Sequence, residues 1–159
     1  MSENSPPQPE FCIHPVGYVR RLESGIRLEI FELYRPALKN LGHFSHVLVL
    51  WWANQRDNDE HRRTLQVCPP YPEAQVSGVF ATRSPSRPNP IAVTVCQILA
   101  VDEENGIVQI ANIDAFDGTP ILDLKVYIPA SDRVRDAHIA EWLKDWPEWI
   151  PDEGLGLRE

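Results

Sequence analysis

Arg83 and Arg87 stand four positions apart in the stretch GVFATRSPSRPNPIAV, residues 78–93. Pro85, Pro88 and Pro90 lie between and after them. Each proline fixes its own φ and pushes the residue before it (Ser84, Arg87 and Asn89) toward extended backbone. Such a bend pairs poorly as a strand but holds side chains and carbonyls in one geometry. Two guanidiniums on it could converge on a carboxylate or a phosphate. The plainer reading of the same residues is a stiff surface turn with solvated arginines. A second stretch, NIDAFDGTPILDLKVYIP at 112–129, carries Asp114, Asp117 and Asp123. Asp117-Gly118 marks a turn, and Thr119-Pro120 leads into the next extended segment. Carboxylates at such a turn can accept hydrogen bonds from ribose hydroxyls or an ammonium. An aspartate that caps its own turn is the commoner alternative.

Other chemistries find less support. The chain has no GxSxG elbow, no phosphate-binding Walker loop and no GxGxxG fingerprint. The aspartate spacing misses the calcium-loop pattern. His43 and His46 are three apart, but the next histidine is His61 and no cysteine pair supports zinc, so no metal site is expected. Cys12, Cys68 and Cys96 form no CxxC pair, which suggests reduced thiols and a cytoplasmic protein. The formal net charge of −8 argues against bulk electrostatic binding to nucleic acid. Residues 74–101 nevertheless hold no acid and both Arg83 and Arg87, a positive island in an acidic chain.

The elements that must position these residues are mostly strands. Segments 14–20, 27–31, 44–53, 75–82, 91–101, 107–115 and 121–128 are rich in Val, Ile and aromatics. Asn105-Gly106 is a hairpin signal. The run HVLVLWWA is nearly continuous apolar and reads as a strand buried on both faces. Helical signals are short. Residues 32–42 suit a turn or two closed by Gly42, and 56–64 suit another turn. Ile139, Trp142, Leu143 and Trp146 fall at helical spacing before Pro147, which would stop a helix. The expected architecture is mainly β, a small antiparallel β-barrel with a few short helices. With 159 residues, one domain is expected. Its boundaries are a loose tail at 1–11, a barrel domain at 12–130, and a short helix with a Trp-rich acidic tail at 131–159 packing on the domain or on a dimer partner.

GVFATRSPSRPNPIAVTV followed by DAFDGTPILDLKVYIP closely resembles the TsaA-like (YaeB-like) family. Residues 41–50 match its LxxFSHxxVL pattern, and the likeness covers roughly residues 15–129. Ala92 and Val126 stand where the family pattern carries Gly and Pro. Best-known members are S-adenosylmethionine-dependent N6-methyltransferases of the threonylcarbamoyl-modified adenosine 37 of tRNA. The resemblance implies a small β-barrel, a homodimer and S-adenosyl-L-methionine held near the subunit interface. It places the cofactor against Arg83, Ser84, Arg87, Asn89 and Val93, with Ala115, Phe116, Asp117, Gly118 and Thr119 as the other wall. Asn54 and Gln55 would lie close by. It names no catalytic acid or base. The function expected is methyl transfer to tRNA or a related acceptor. The alternative is a module that senses S-adenosylmethionine without transferring its methyl.

Overall fold

Alternation of apolar and polar residues, together with β-branched side chains, makes strands that bury one face. The computed structural model describes residues 9–151. Residues 1–8 of the expected N-terminal tail and 152–159 of the acidic tail lie outside the described residues. Strands β1 (Gly17–Leu22) and β2 (Gly25–Ile30) form a hairpin. Strand β3 (His46–Trp52) follows two 3-10 turns, Glu32–Leu38 and Leu41–His43. A short helix, α1 (Asp59–Arg62), precedes the two-residue strands β4 (Gln66–Val67) and β5 (Ser77–Gly78). Strands β6 (Ile91–Asp102), β7 (Ile107–Ile110) and β8 (Pro120–Val126) follow, then helix α2 (Pro129–Asp132).

Six strands close into an antiparallel barrel in the order β1-β2-β7-β6-β3-β8, and β4 and β5 pair separately. Closure needs strands that turn corners, and β6 is the longest of them. Its first half pairs with β3, from Ile91 opposite Trp52 to Gln97 opposite His46. Its second half pairs with β7, after a register shift between Ile98 and Ala100 that bends the strand. The barrel interior is filled by Val19, Leu28, Ile30, Val47, Val49, Trp51, Val108, Ile110 and Ile121. At one end Leu38 and Leu41, from the 3-10 turns, join the core, and Ala53, Ile113 and Ala115 also join it.

The structure corrects four expectations. Residues 75–82 yield only the two-residue β5, because the chain turns at once into a 3-10 turn at Val79–Ala81. Segment 44–53 buries alternate residues, with Val47, Val49 and Trp51 inside and their neighbours half-covered, because a barrel strand faces the core on one side. Gly42 lies within the second 3-10 turn instead of ending a helix, and Pro36 within the first keeps the segment from lengthening. The apolar spacing near 139–146 gives only a 3-10 turn, Glu141–Leu143. Trp146 and the later Trp149 find other partners. Trp146 packs edge-on against Tyr71 at 4.9 Å between ring centroids, and Arg133 stacks over Trp149 at 5.0 Å.

Candidate functional site

Strand pairing gathers the two chemistry-bearing stretches at one end of the barrel. Strand β3 runs out there and β6 begins there. The Ala53 N–H donates to the Pro90 carbonyl at 2.8 Å, so Asn54 and Gln55 emerge beside the exit of the proline-rich loop. Val93 pairs with Leu50 across the same ladder. Trp51 Nε1–H donates to Thr94 Oγ1 at 3.0 Å, and the Thr94 hydroxyl donates in turn to Asp114 Oδ1. That relay fastens the 111–119 loop to β3 and β6. Asn54, Gln55, Asn89 and Val93 thus lie at the same end of the barrel as Ala115, Phe116, Asp117, Gly118 and Thr119.

The 113–119 loop is shaped by β1. Arg21 Nε donates to the Ala115 carbonyl at 2.8 Å, and its Nη2 donates to the Ile113 carbonyl. The Arg21 backbone N–H donates to Asp117 Oδ1 at 2.8 Å. Gly118 takes a positive φ of 74°, and its N–H donates to the Val19 carbonyl at 2.8 Å. The Val19 N–H donates back to the Thr119 carbonyl at 2.9 Å. Ala115 and Thr119 are buried and form the loop's inner edge, while Phe116 is 52% exposed at its tip. Asp117 therefore fixes the loop with one carboxylate oxygen.

The proline-rich loop is held from inside. Thr82 Oγ1 donates to the Val79 carbonyl at 2.9 Å, the Ser84 N–H donates to Thr82 Oγ1, and the Ser86 N–H donates to Ser84 Oγ. Arg87 closes the bend. Its Nη1 reaches the carbonyls of Thr82 and Ser84 at 3.4 Å, and its Nη2 reaches that of Val79 at 3.3 Å. The two arginines of this stretch are used differently. Arg87 holds its own loop, and Arg83 stands exposed with no hydrogen bond or ion pair among the described residues.

Segment 52–62 braces this loop from outside. Asn58 caps α1 by accepting from the His61 N–H at 3.0 Å. Arg62 stacks over Trp52, donates to Asp57 Oδ1 at 2.5 Å, and donates to the Pro88 carbonyl at 3.2 Å. The Trp52 indole N–H donates to Asp57 Oδ2 at 2.9 Å. Hydrogen bonds from Arg62, and then from Trp52, hold the Asp57 carboxyl below the usual carboxylate range.

A family model described as the tRNA-methyltransferase O N-terminal domain matches residues 3–133. The chain belongs to this family. Among curated relatives, a probable S-adenosyl-L-methionine-binding protein from Pyrococcus horikoshii is 41% identical over 118 residues, covering 74% of this chain and 82% of that protein. A mouse tRNA (adenine(37)-N6)-methyltransferase is 36% identical over 124 residues, 78% of this chain but 27% of the mouse protein. The crystal structure of TrmO from Pseudomonas aeruginosa superposes with a TM-score of 0.64 at 28% identity, over 85% of this chain and 62% of that one. The chain thus spans well under two thirds of the mouse protein and just under two thirds of the bacterial one.

Within this tRNA-methyltransferase O N-terminal domain, several supporting residues escape sequence reasoning. Arg21 lies in a strand of no special pattern and acts across more than ninety residues of chain, from β1 onto the 113–119 loop. Thr94 reads as one more β-branched strand residue. His61 and Arg62 belong to a polar segment with no motif. Asp114 was legible as a carboxylate near a turn, but its partner was not. No local signal pairs residues so far apart.

Proposed function

We propose that this chain binds S-adenosyl-L-methionine at the rim formed by 54–55, 83–93 and 115–119, and transfers its methyl group to a nitrogen of a tRNA adenosine or a related acceptor. The observation that carries the reading is the juxtaposition of the two motif stretches through Ala53–Pro90 and Trp51–Thr94–Asp114. The residues present fit the ligand. Arg83 offers an unpaired guanidinium to a carboxylate. Asn54, Gln55 and Asn89 are exposed amides able both to donate and to accept. Val93 and Phe116 are 36% and 52% exposed and offer apolar surface to a purine face. Asp117 keeps an oxygen beyond the one given to Arg21. The cofactor, when bound, supplies an electrophilic methyl on a sulfonium. The protein's part is to hold donor and acceptor in line and to exclude water. No covalent enzyme nucleophile is needed, and no acid or base is assigned.

The rim is an open surface, which suits a homodimer in which a second copy closes the ligand in. Leu65, Val76 and Phe80, on the arm that enters the proline-rich loop, are 65%, 67% and 84% exposed and would meet that copy. Three free thiols suit a cytoplasmic setting. A second reading, favoured by the net charge of −8, is a sensor that binds the cofactor without methyl transfer.

Titration calorimetry should show binding of S-adenosylmethionine, with Arg83→Ala and Asp117→Ala each weakening it about tenfold or more, the loss of one charge-assisted contact. Unchanged affinity in both variants would remove the site. Transfer of radiolabelled methyl to total tRNA separates the readings, since a saturated protein that leaves tRNA unlabelled is the sensor.

A further inference from the structure

The imidazole of His61 lies between two groups. Its Nε2 is 3.1 Å from Arg56 Nη1, and its Nδ1 is 2.9 Å from Ser86 Oγ. A guanidinium has no acceptor and does not lose its proton in a protein, so Arg56 can only donate. Nε2 must then carry a lone pair, and the single ring proton sits on Nδ1 and is given to Ser86. The geometry therefore selects one tautomer of the neutral ring. A proton added at Nε2 would face a guanidinium, and the Arg56 contact would turn from attraction to repulsion. Arg56, from the 3-10 turn Asn54–Arg56 before α1, and Ser86, from the proline-rich loop, are the ring's hydrogen-bond partners among the described residues. Asp57 and Asp59 on the same segment are paired with Arg62 at 2.5 Å and Arg63 at 3.1 Å. Glu60 is exposed on α1.

Ser86 sits where the bend needs a hold. The Ser86 N–H donates to Ser84 Oγ, and Arg87, next in the chain, donates to the carbonyls of Val79, Thr82 and Ser84. Arg62, next to His61, donates to the Pro88 carbonyl at 3.2 Å. Two adjacent residues of α1 thus hold the loop at two points, Ser86 and Pro88, while Ala53 holds its exit at Pro90.

We propose that His61 is a positioning residue for the cofactor loop, acting through its Nδ1 contact with Ser86 Oγ. It sets where Ser84, Arg87 and Asn89 stand, and so tunes cofactor affinity, without touching the cofactor. This rests on the reading of the loop as part of the S-adenosylmethionine site. His61→Ala and Ser86→Ala should each weaken S-adenosylmethionine binding by about three- to tenfold, the usual worth of one such hydrogen bond. The double variant should be no weaker than the worse single, because both remove one contact. His61→Asn, whose amide can replace Nδ1–H, and Ser86→Thr should restore most of the affinity. In the ligand-free protein, amide hydrogen exchange at 84–89 should speed up in both alanine variants. Exchange at 84–89 and cofactor affinity identical to wild type in both His61→Ala and Ser86→Ala would overturn the proposal. Should wild type give no heat with S-adenosylmethionine, the ligand reading falls, and the exchange comparison alone decides for or against the clamp.

Discussion

Gly118 and Asp117 show how single residues set the shape of the rim. Gly118 has a φ of +74°, and a Cβ there would meet nothing nearer than Arg20 Nη1 at 3.9 Å. Space is open, so the cost of Gly118→Ala is that of the backbone alone, about 1–2 kcal/mol. Urea denaturation should read that loss, and a much larger one would mean that the loop is packed more tightly than described. Arg21 is the other fixed point. Arg21→Ala leaves the carbonyls of Ile113 and Ala115, two buried residues, without their donor. Hydrogen bonds from charged groups are worth about 1.5–3 kcal/mol. The variant should lose stability in that range and also weaken S-adenosylmethionine binding, whereas Arg83→Ala should weaken binding with little change in stability. The two measurements separate a residue that builds the rim from one that faces the ligand.

At the scale of elements, Glu29 links the first hairpin. It lies on β2 and receives Arg20 from β1 at 3.0 Å and Arg27 from its own strand at 2.5 Å. Hydrogen bonds from Arg20 and then Arg27 hold its carboxyl below the ordinary glutamate value of 4.5. A carboxyl whose folded pKa is lowered adds stability above its unfolded pKa, and that stability is lost as pH falls through the folded value. Thermal denaturation of wild type and Glu29→Gln should therefore differ at pH 7 and converge as pH falls below the ordinary glutamate value of 4.5. A gap that persists into acid would show that the pair is not the cause. Little of this was legible beforehand. Residues 27–31 read as a strand, and Arg20 closed the segment before it. Their register, which sets Tyr18 opposite Glu29 and Arg20 opposite Arg27, comes only with the hairpin turn at 23–24.

For the molecule as a whole, the barrel core is the source of stability, and its centre is sensitive. Leu28 has no exposed surface and packs among the inward residues of the other strands. Leu28→Ala should cost about 2–5 kcal/mol, the transfer of the lost methyls plus the cavity left behind. The same core controls thiol chemistry. Burial, and secondarily the Asp114 carboxylate, push the Cys96 thiol up to about 12, whereas Cys12 and Cys68 are exposed. Since the thiolate is the reactive form, Ellman's reagent at pH 8 should titrate two thiols quickly and the third only on unfolding. Three fast thiols would mean that the barrel opens more readily than its packing implies.

The amino-acid sequence by itself determined the mainly β character, most of the barrel strands and the two stretches at the rim. These rest on local physics: side-chain alternation, β-branching, and the fixed φ of proline. They are visible in Val47, Val49 and Trp51, and in Pro85, Pro88 and Pro90, without reference to any partner. The tertiary structure alone decided which polar groups face outward and which are taken up inside. Arg83 and Arg87 look equivalent in sequence, yet one is exposed and the other grips three carbonyls of its own loop. His61 reads as a solitary histidine until folding brings Ser86 against it, twenty-five residues along the chain. Hydrogen bonds act over about 3 Å in space, whatever the separation in sequence, so their partners are fixed only once the barrel has closed.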